Sequence, residues 1–396
     1  MDLNKVRQAV EEVFDEIVAI RRDIHMHPEL SEHEERTMHV ISDYLTKLGI
    51  PHECNVSGFG VVGIVGDPNA DFAVGIRADI DALPIQEEND VPYASVNPGV
   101  MHACGHDIHT ACLLGVAKIL KGMESELKGA VKLFFQPAEE TIGGAEGMIK
   151  WGCMENPPVK HVFSLHADPS YPVGKVLVST GRMNASTTDL HIRVNGVSCH
   201  GAHPDNGIDS IVVASHVVLA LQTISSRFAS PTTPLIVTVG SIHGGTKSNI
   251  IAGSVDLVGT IRALDFKTRD FVKAHVEEIA KNTAAAFGAT ADVELEDGYP
   301  PLVNDRDVSM RVAELCREAL GNDSVVFMEE PSLGADDFAY FSAAVPSSYF
   351  NIGTKSDKCT TPQMLHSEVF CPDEECLKVG MMMEAACAIA FLEERK

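Results

Sequence analysis

TTDLHIRVNG (187–196) alternates apolar and polar residues, a pattern typical of a β-strand with one buried face. Five further segments with strand or helix spacing follow it: the helix GIDSIVVASHVVLALQTISSRF (207–228), the strands PLIVTVGSI (234–242) and SVDLVGTIRAL (254–264), a helix over 267–287 and the strand TADVELEDG (290–298). The order β-α-β-β-α-β is that of the ferredoxin-like unit. We therefore expect residues 185–298 to form a separate α+β domain, which is inserted into a larger one.

On both sides of this stretch, short apolar runs alternate with segments of helical spacing. The predicted strands include GVVGIVG (60–66), FAVGIRA (72–78), VKLFFQ (131–136) and HVFSLH (161–166). Helical spacing is found over 3–22, 31–49, 107–123, 305–319 and from 373 onward. The second of these helices opens with Ser31 and Glu34 at capping-box spacing. This alternation predicts an α/β domain, formed by 1–184 and 299–396, whose sheet is covered on both faces.

The composition of the chain indicates which classes of partner and which cell compartment to expect. With 31 Lys and Arg against 56 Asp and Glu, the 396-residue chain has a formal net charge of −25. Nucleic acids and anionic membrane surfaces bind basic faces, so we expect neither as a partner. The N-terminal sequence does not have the pattern of a signal peptide, and VGMMMEAACAIAFL (379–392) is too short to span a bilayer. Ten scattered cysteines without a C-x-x-C motif indicate free thiols, so we expect a cytoplasmic protein.

Two segments outside the insertion carry pairs of metal-binding residue types. MHACGHDIHT (101–110) places Cys104 and His106 two residues apart, and a thiolate is a strong ligand for a borderline-soft divalent ion. The predicted strand in FFQPAEE (134–140) runs into Pro137 and then the adjacent carboxylates Glu139 and Glu140. Each pair also has a plain explanation: a loop Cys and His with no joint role, or a solvated acidic loop.

Two single histidines extend this pattern, His166 in SLHADP and His366 in MLHSEVF. Each alone is more typical of a structural histidine than of a ligand. Together, strand ends and loops of the α/β segments offer five ligand-type groups, namely Cys104, His106, Glu140, His166 and His366. Glu139 is left as a spare carboxylate. This composition suits a two-metal hydrolase, in which one glutamate binds metal and its neighbour moves protons.

Other polar residues are ambiguous from spacing alone. Asp79 and Asp81 follow a predicted strand and could orient a metal-bound imidazole, or form an ordinary acidic turn. In the insertion, His200 opens CHGAHPDNG, and Asn249 and Arg262 lie on a predicted hairpin. An amide and a guanidinium on facing strands could hold a substrate carboxylate. An ordinary cross-strand polar pair explains the same two residues more simply.

Six motifs, spread in order over nearly the whole chain, carry a resemblance to a known family. They are RRDIHMHPELSEHEERT (21–37), RADIDALPI (77–85), MHACGHD (101–107), QPAEE (136–140), LHADP (165–169) and LHSEVF (365–370). The set closely resembles the dinuclear metallo-amidohydrolases: hippurate hydrolase, N-acyl-amino-acid deacylases and plant indole-acetyl-amino-acid hydrolases. These belong to the larger metallopeptidase family of aminoacylase and carboxypeptidase G. The resemblance implies a two-metal aminopeptidase-like α/β catalytic domain with an inserted ferredoxin-like lid and dimerisation domain.

The resemblance also implies roles for the candidate residues. Cys104 would be the thiolate that bridges two divalent ions, with the other ligands supplied by His106, Glu140, His166 and His366. Glu139 would be the general base. Sulfur, nitrogen and oxygen ligands of this kind accept zinc, manganese, cobalt or nickel.

In the insertion, the resemblance implies that His200 reaches into the site of a partner subunit and binds the developing oxyanion. Asn249 and Arg262 fall where relatives hold the free carboxylate of the substrate. The working unit is therefore expected to be a homodimer or a homotetramer.

These observations predict a metal-dependent amidohydrolase that cleaves N-acyl amino acids, N-acetyl or N-benzoyl compounds for example, into a carboxylate and a free amino acid. The alternatives are a metallo-dipeptidase or aminopeptidase on the same scaffold, and a non-catalytic relative that binds metal or ligand. Intact ligand positions and a spare Glu139 speak against the last of these.

Overall fold

The computed structural model describes residues 2–355 and 364–394. Its α-helices are α1 (Leu3–Met26), α2 (Glu35–Leu48), α3 (His106–Gly122), α4 (Ala145–Trp151), α5 (Ser210–Leu221), α6 (Phe266–Ala286), α7 (Arg306–Leu320), α8 (Ala339–Ala344) and α9 (Cys376–Glu394). Its β-strands are β1 (His52–Val56), β2 (Gly60–Gly66), β3 (Ala73–Asp79), β4 (Ala130–Gln136), β5 (Val159–Pro172), β6 (Val176–Val178), β7 (Arg182–Asn184), β8 (Ser186–Asn195), β9 (Leu235–Gly244), β10 (Ser254–Ala263), β11 (Thr290–Asp297), β12 (Leu302–Val303), β13 (Val325–Phe327) and β14 (Ser347–Lys355).

The chain divides by its contacts into two compact units. The larger unit consists of Met1–Gly181, Asn304–Glu330 and Tyr340–Lys396, and the inserted unit of Arg182–Val303 and Pro331–Ala339. The second piece of the inserted unit is tied to the first by backbone hydrogen bonds: Ser332 N donates to Met183 O at 2.9 Å, and Ala185 N donates to Gly334 O at 2.8 Å. The sequence pattern did not predict that residues 331–339 belong to the inserted unit.

The larger unit is built on an eight-stranded sheet of order β1-β2-β4-β3-β5-β14-β6-β13. Its central strands run parallel, since β3 pairs with β4 and β5, and β5 pairs with β14. Strands β3 and β4 are buried at every residue, as expected of parallel strands covered on both faces. The α/β class predicted from the alternating apolar runs is confirmed.

Helix α3 lies in the interior of the larger unit. Of its 17 residues 14 are buried, so its sequence is apolar on all sides rather than along one stripe. It packs against α1, α9 and the sheet. A Cβ added at Gly115 would stand 2.2 Å from Met381 Sδ, so this glycine permits the close approach of α3 and α9. Helix α3 is therefore packed closely on several sides.

The capping box predicted at Ser31 and Glu34 is wrong. Helix α2 begins at Glu35, and its N-cap residue, Glu34, makes no side-chain hydrogen bond to the helix. The cap is supplied by Glu29, whose carboxylate accepts from the backbone amides of Arg36 and Thr37 at 3.0 and 2.8 Å. Ser31 donates to Asp81 Oδ2 at 2.6 Å instead, because tertiary partners are available to it.

The inserted unit confirms the predicted order β-α-β-β-α-β. Its antiparallel sheet has the order β11-β8-β10-β9, and α5 and α6 contribute to the same hydrophobic core as the buried residues of the strands. Residues of β8 alternate between buried and less buried, which places the apolar side chains towards the helices. Strand β9 is an edge of this sheet.

One described helical stretch, Ser210–Phe228, is long and apolar enough to cross a bilayer by length and composition alone. It consists of α5 and a following π-helical turn, Ile224–Phe228. A single stretch of this kind is weak evidence for a membrane, since helices of water-soluble domains pass the same test. Its inner face packs in the core of the inserted unit through residues such as Val213 and Val217, whereas Leu219 is 68% exposed.

Candidate metal centre

Four segments of the larger unit converge beyond the ends of its central strands. They are the loop before α3 with the first turn of that helix, the loop that follows β4, the middle of β5, and the segment around His366. Gly105, with φ of 90°, is the N-cap of α3, and a Cβ there would stand 2.9 Å from that of Ala167 on β5. The glycine thus allows the loop that carries Cys104 to turn tightly against β5.

The structure brings all five candidate ligands and Glu139 into one cluster. Three groups have ligand atoms that lie within 4.8 Å of one another: Cys104–His106–His166, Cys104–Glu140–His366 and His106–Glu139–Glu140. Cys104 Sγ lies 3.5 Å from His166 Nε2, and His366 Nε2 lies 3.3 Å from Glu140 Oε1. Because Cys104, His106 and Glu140 each belong to two of these groups, they lie at the centre of the cluster.

The donor atoms of this cluster are arranged better for binding a metal ion than for hydrogen bonding among themselves. His106 Nε2 and Glu140 Oε1 are both buried and lie 3.8 Å apart, too far for a hydrogen bond between them, while His366 Nε2 lies 3.3 Å from the same Glu140 oxygen. An ion between these three atoms would be a partner for all of them, and buried polar atoms in proteins generally have such partners. A thiolate with imidazole and carboxylate ligands suits zinc and related divalent ions.

The protonation equilibria of the cluster lead to the same interpretation. Burial raises the pKa of the Cys104 thiol well above its ordinary value. Burial opposes charge on His106, but Asp79 and Cys104 outweigh it and raise the pKa of this imidazole well above its usual range. The hydrogen bond with Glu140 raises the pKa of His366. Without a cation these groups therefore favour protons, and a divalent ion would take the place of those protons.

Asp81 orients the imidazole of His106. His106 Nδ1 lies 2.9 Å from the backbone oxygen of Asp81 and 3.2 Å from its Oδ1, so Nδ1 is the nitrogen that donates. The other nitrogen, Nε2, is thereby turned towards Glu139 and Glu140, at 4.0 and 3.8 Å. Of the two explanations left open for Asp81, the structure favours the orientation of an imidazole over an ordinary acidic turn.

Asp79 is hydrogen-bonded to His109, a histidine that the sequence analysis did not identify. His109 Nδ1 donates to Asp79 Oδ1 at 2.6 Å, and its Nε2 accepts from Ala167 N at 2.9 Å. Both nitrogens of His109 are thus used, which leaves none for a metal ion. Asp79 is also paired with the buried Arg77 at 2.6 Å. Only the spacing of His106 and His109 on one helical face could have pointed to this contact.

A second buried group lies beneath the first turn of α3. Asp107 Oδ2 is 2.7 Å from Arg21 Nε and 2.7 Å from His25 Nδ1, and His25 Nε2 is 3.1 Å from Glu87 Oε1. Burial opposes the charge of Asp107, but Arg21 and His25 hold the pKa of this carboxyl well below its usual range. The sequence indicated that Arg21 is buried, because its spacing continues the apolar stripe of Val10, Val13 and Ile17 on α1.

Two of the three candidates in the inserted unit lie close together. Gly201 N donates to Asn249 O at 2.8 Å, so the backbone beside His200 runs against the loop that carries Asn249. His200 and Asn249 are both exposed. This end of the unit presents an imidazole and an amide to its surroundings.

The structure does not bring Arg262 to Asn249 within one chain, so the two residues do not face each other across the hairpin, as both explanations of the pair had assumed. Asn249 lies in the loop between β9 and β10, whereas Arg262 lies near the far end of β10, opposite Thr187 and Ile236. Eight residues of extended strand separate Ser254 from Arg262, or about 26 Å at ~3.3 Å per residue. The strands do face each other, but the register puts these two residues at opposite ends.

Comparison with protein families gives one match that covers most of the chain. The model described as Peptidase family M20/M25/M40 matches residues 75–389. This range includes all five candidate ligands, Glu139 and the whole inserted sequence.

Comparison with individual proteins agrees with the family match. Thermostable carboxypeptidase 1 of Saccharolobus solfataricus is 39% identical over 398 residues, which is 99% of this chain and 99% of that protein. N-acetyl-L-cysteine deacetylase of Bacillus subtilis is 39% identical over 86% of this chain and 81% of its own length. The crystal structure of Bacillus subtilis YXEP protein, a dinuclear metal-binding peptidase of the M20 family, superposes with a TM-score of 0.85 at 31% identity, over 97% of this chain and 99% of that one.

Proposed function

Since this chain belongs to peptidase family M20/M25/M40 and is a metal-dependent hydrolase of amide bonds, we propose that its substrates are N-acyl amino acids. The products would be a carboxylate and a free amino acid. Support comes from the convergence of Cys104, His106 and Glu140 with a second carboxylate beside them. The sequence similarity to a deacetylase of an N-acetyl amino acid supports the choice of acyl substrates.

The proposed metal ligands are those that form the cluster: Cys104, His106, Glu140, His166 and His366. Cys104 belongs to two of the ligand groups and is the residue we propose to bridge two ions. Divalent ions held there would supply Lewis acidity, which lowers the pKa of water and polarises the scissile carbonyl. Asp81 keeps the imidazole of His106 in the orientation that exposes Nε2.

Glu139 is the proposed general base. Its side chain is buried, with Oε2 at 4.0 Å from His106 Nε2, so it lies within the cluster without being needed as a sixth ligand. In this role its carboxylate takes a proton from the attacking water and passes it to the nitrogen of the leaving amine. A single carboxylate would perform ligation and proton transfer poorly, which is why two adjacent glutamates suit the reaction.

Binding of the amino-acid end is proposed to involve two copies of the chain. Burial lowers the pKa of Arg262, and a substrate carboxylate would compensate this half-buried guanidinium. Arg262 is too far along β10 from Asn249 for both to hold one small carboxylate in the same chain. We therefore propose that Arg262 acts in its own subunit, while His200 and Asn249 of a partner subunit complete the site and bind the oxyanion.

The surface of the inserted unit supports association with a second copy. Strand β9 is a sheet edge with unpaired backbone groups on its outer side. Large apolar side chains are exposed on the same unit, among them Ile211, Val212, Leu219, Phe228, Ile242 and Val258. An open edge with exposed apolar groups favours a protein interface, and we propose a homodimer or a pair of such dimers.

A cytoplasmic location is part of the proposal. The nine cysteines among the described residues are free, and six of them are buried. Cys359 lies outside the described residues. Free thiols in this number suit a reducing compartment.

A substrate panel tests the proposed function. Free amino acid is measured after incubation with N-acetyl, N-benzoyl and indole-acetyl amino acids, and with unblocked dipeptides, in the presence of manganese or zinc and again after chelation. Release from the acylated set that chelation abolishes is the expected result. Release from dipeptides alone would support a dipeptidase or aminopeptidase instead, and no release from a folded, metal-loaded protein would contradict both.

Glu139→Gln is the decisive variant for the base. Gln has the same shape but cannot accept the proton, so turnover should fall by at least ~100-fold, the lower range for loss of a general base. Metal content, measured by atomic absorption, should stay at the wild-type value because Glu139 is not a proposed ligand. Near-normal turnover would refute the role.

Subunit mixing tests the shared site. His200→Ala and Glu139→Gln should each be inactive alone. When the two are unfolded together and refolded, mixed dimers contain one site with Glu139 from one chain and His200 from the other. About a quarter of wild-type activity should return for random pairing in a two-fold dimer. If none returns although mixed dimers form, His200 does not act across the interface.

A further inference from the structure

The two adjacent glutamates point to a feature of the backbone before them. Side chains of consecutive residues in an extended chain leave on opposite sides. Glu139 Oε2 and Glu140 Oε1 nevertheless lie 4.0 and 3.8 Å from the same atom, His106 Nε2. The backbone that leads into this pair must therefore depart from the extended conformation of β4.

That departure occurs at Ala138. This residue has φ of 58°, the left-handed region, which residues with a Cβ rarely adopt. No glycine is present to make the turn without strain, so other contacts must hold it.

Two buried carboxylates hold the backbone on either side of Glu139. Glu34 Oε1 accepts a hydrogen bond from Ala138 N at 2.8 Å, and Asp81 Oδ2 accepts one from Glu140 N at 3.0 Å. Both carboxylates are almost completely buried. The backbone amides before and after the proposed base are thus each fixed by a buried carboxyl oxygen.

The position of Glu34 at the start of α2 does not explain its burial. It stands at the N-cap of α2 but makes no side-chain bond to that helix, which Glu29 caps instead. Its second oxygen, Oε2, has no partner among the described residues. Burying a carboxyl group is costly, and here one of its oxygens accepts from a backbone amide 104 residues away in the chain.

We propose that Glu34 is a positioning residue for hydrolysis: by accepting from Ala138 N it holds the left-handed turn that directs Glu139 and Glu140 to the same side. Glu34 does not itself touch the substrate. The inference rests on the proposed function in so far as Glu139 is the base. The structural part, that Glu34 fixes the amide of Ala138, is independent of any activity.

The test compares Glu34→Gln with Glu34→Met. Gln keeps an oxygen that can accept from Ala138 N, whereas Met has a similar length and volume without such an acceptor. With metal ions at saturating concentration, kcat of Glu34→Gln should stay within about threefold of wild type. That of Glu34→Met should fall 10- to 100-fold with little change in KM, because small displacements of a catalytic group cost rate in this range.

Glu29→Met is the matched control. It removes a carboxylate from the same helix start, but one whose hydrogen bonds, within the described part of the chain, are to Arg36 and Thr37. The melting temperature of this control should fall while kcat stays near the wild-type value. Wild-type kcat in Glu34→Met would overturn the proposal, and so would equal losses in Glu34→Gln and Glu34→Met.

Hydrogen exchange separates this inference from the proposed function. In the metal-free protein, the amide of Ala138 should be protected in wild type and in Glu34→Gln, because an acceptor is present in both. This measurement needs neither substrate nor a folded Glu34→Met variant. Rapid exchange in wild type would overturn the inference even for an active enzyme. Protection in a protein that hydrolyses nothing would leave the contact established and refute only the proposed function.

Discussion

Glu384 allows a quantitative prediction about stability. It lies on α9 in the core of the larger unit, with no exposed surface and no hydrogen-bond partner for either carboxyl oxygen among the described residues. Burial raises the pKa of Glu384 well above its ordinary value, and the charge of Asp79 raises it further. The folded protein therefore holds this group neutral under conditions in which the unfolded chain carries it ionised.

The perturbation is Glu384→Gln, which keeps the shape and removes the titration. Below the ordinary pKa of glutamate, about 4.3, the side chain is neutral in both states, so variant and wild type should differ little in their free energy of unfolding. Above it, folding of the wild type must take up a proton, which costs about 1.4 kcal/mol per pH unit until the folded-state pKa is reached. Between pH 5 and pH 6 the variant should thus gain about 1.4 kcal/mol over the wild type.

The assay is urea unfolding of the metal-free proteins, followed by the fluorescence of Trp151. This is the single tryptophan of the chain, and it lies in the larger unit, so it reports on the unit that contains Glu384. Glu375→Gln is the control for the Glu-to-Gln change itself, because Glu375 is exposed just before α9. A pH-independent difference for Glu384→Gln would refute the reasoning.

Two further predictions concern the buried groups around α3. Asp107→Asn should lower the free energy of unfolding by about 3–5 kcal/mol, because it removes the nearer carboxylate of the buried guanidinium of Arg21 and leaves only the 3.4 Å contact with Glu374; a loss below 1 kcal/mol in urea unfolding would contradict this. Burial lowers the pKa of His102 to about 4. The folded protein therefore keeps this ring neutral, and its free energy of unfolding is unaffected by His102 above about pH 6.5. As the pH falls from about 6.5 towards 4, the free energy of unfolding should drop by about 3 kcal/mol, because only the unfolded chain protonates the ring. His102→Phe should therefore melt at a higher temperature than wild type at pH 4.5 and show little difference at pH 7.5; equal shifts at both pH values would count against the assignment.

The sequence was most informative where a local pattern decides the structure. Alternation in 187–196 and the helix and strand spacing after it were sufficient for the order of the inserted unit, because each of these elements buries one face. The metal-binding residue types could also be recognised, since few residues supply thiolate, imidazole and carboxylate groups. Their convergence followed from parallel strands, whose corresponding ends lie at one edge of the sheet.

The sequence was least informative where contacts join distant parts of the chain. Ser31 and Glu34 have the spacing of a capping box, but Asp81 and Ala138 provide partners that no local pattern contains. The pair Asn249 and Arg262 failed because two strands of a hairpin can face each other while the register keeps two given residues at opposite ends. His109 was missed because its partners, Asp79 and Ala167, come from two other strands.

The position of β14 has a consequence for synthesis of the protein on the ribosome. This strand lies between β5 and β6, although both precede the inserted unit in the chain and β14 follows it. At ~5–20 residues per second, roughly 10–35 seconds of translation separate Pro172 from Ser347. The sheet of the inserted unit is fully synthesised within that interval.

During this time the nascent larger unit has β5 with one open edge, the edge that pairs with β14 in the folded protein. His366, a proposed ligand, emerges later still, and α9 follows it to complete the packing around α3. The inserted unit is thus able to fold first, while β5 in the N-terminal half still lacks its neighbour β14. The proposed ligand set is therefore complete only when His366 has been synthesised, shortly before α9.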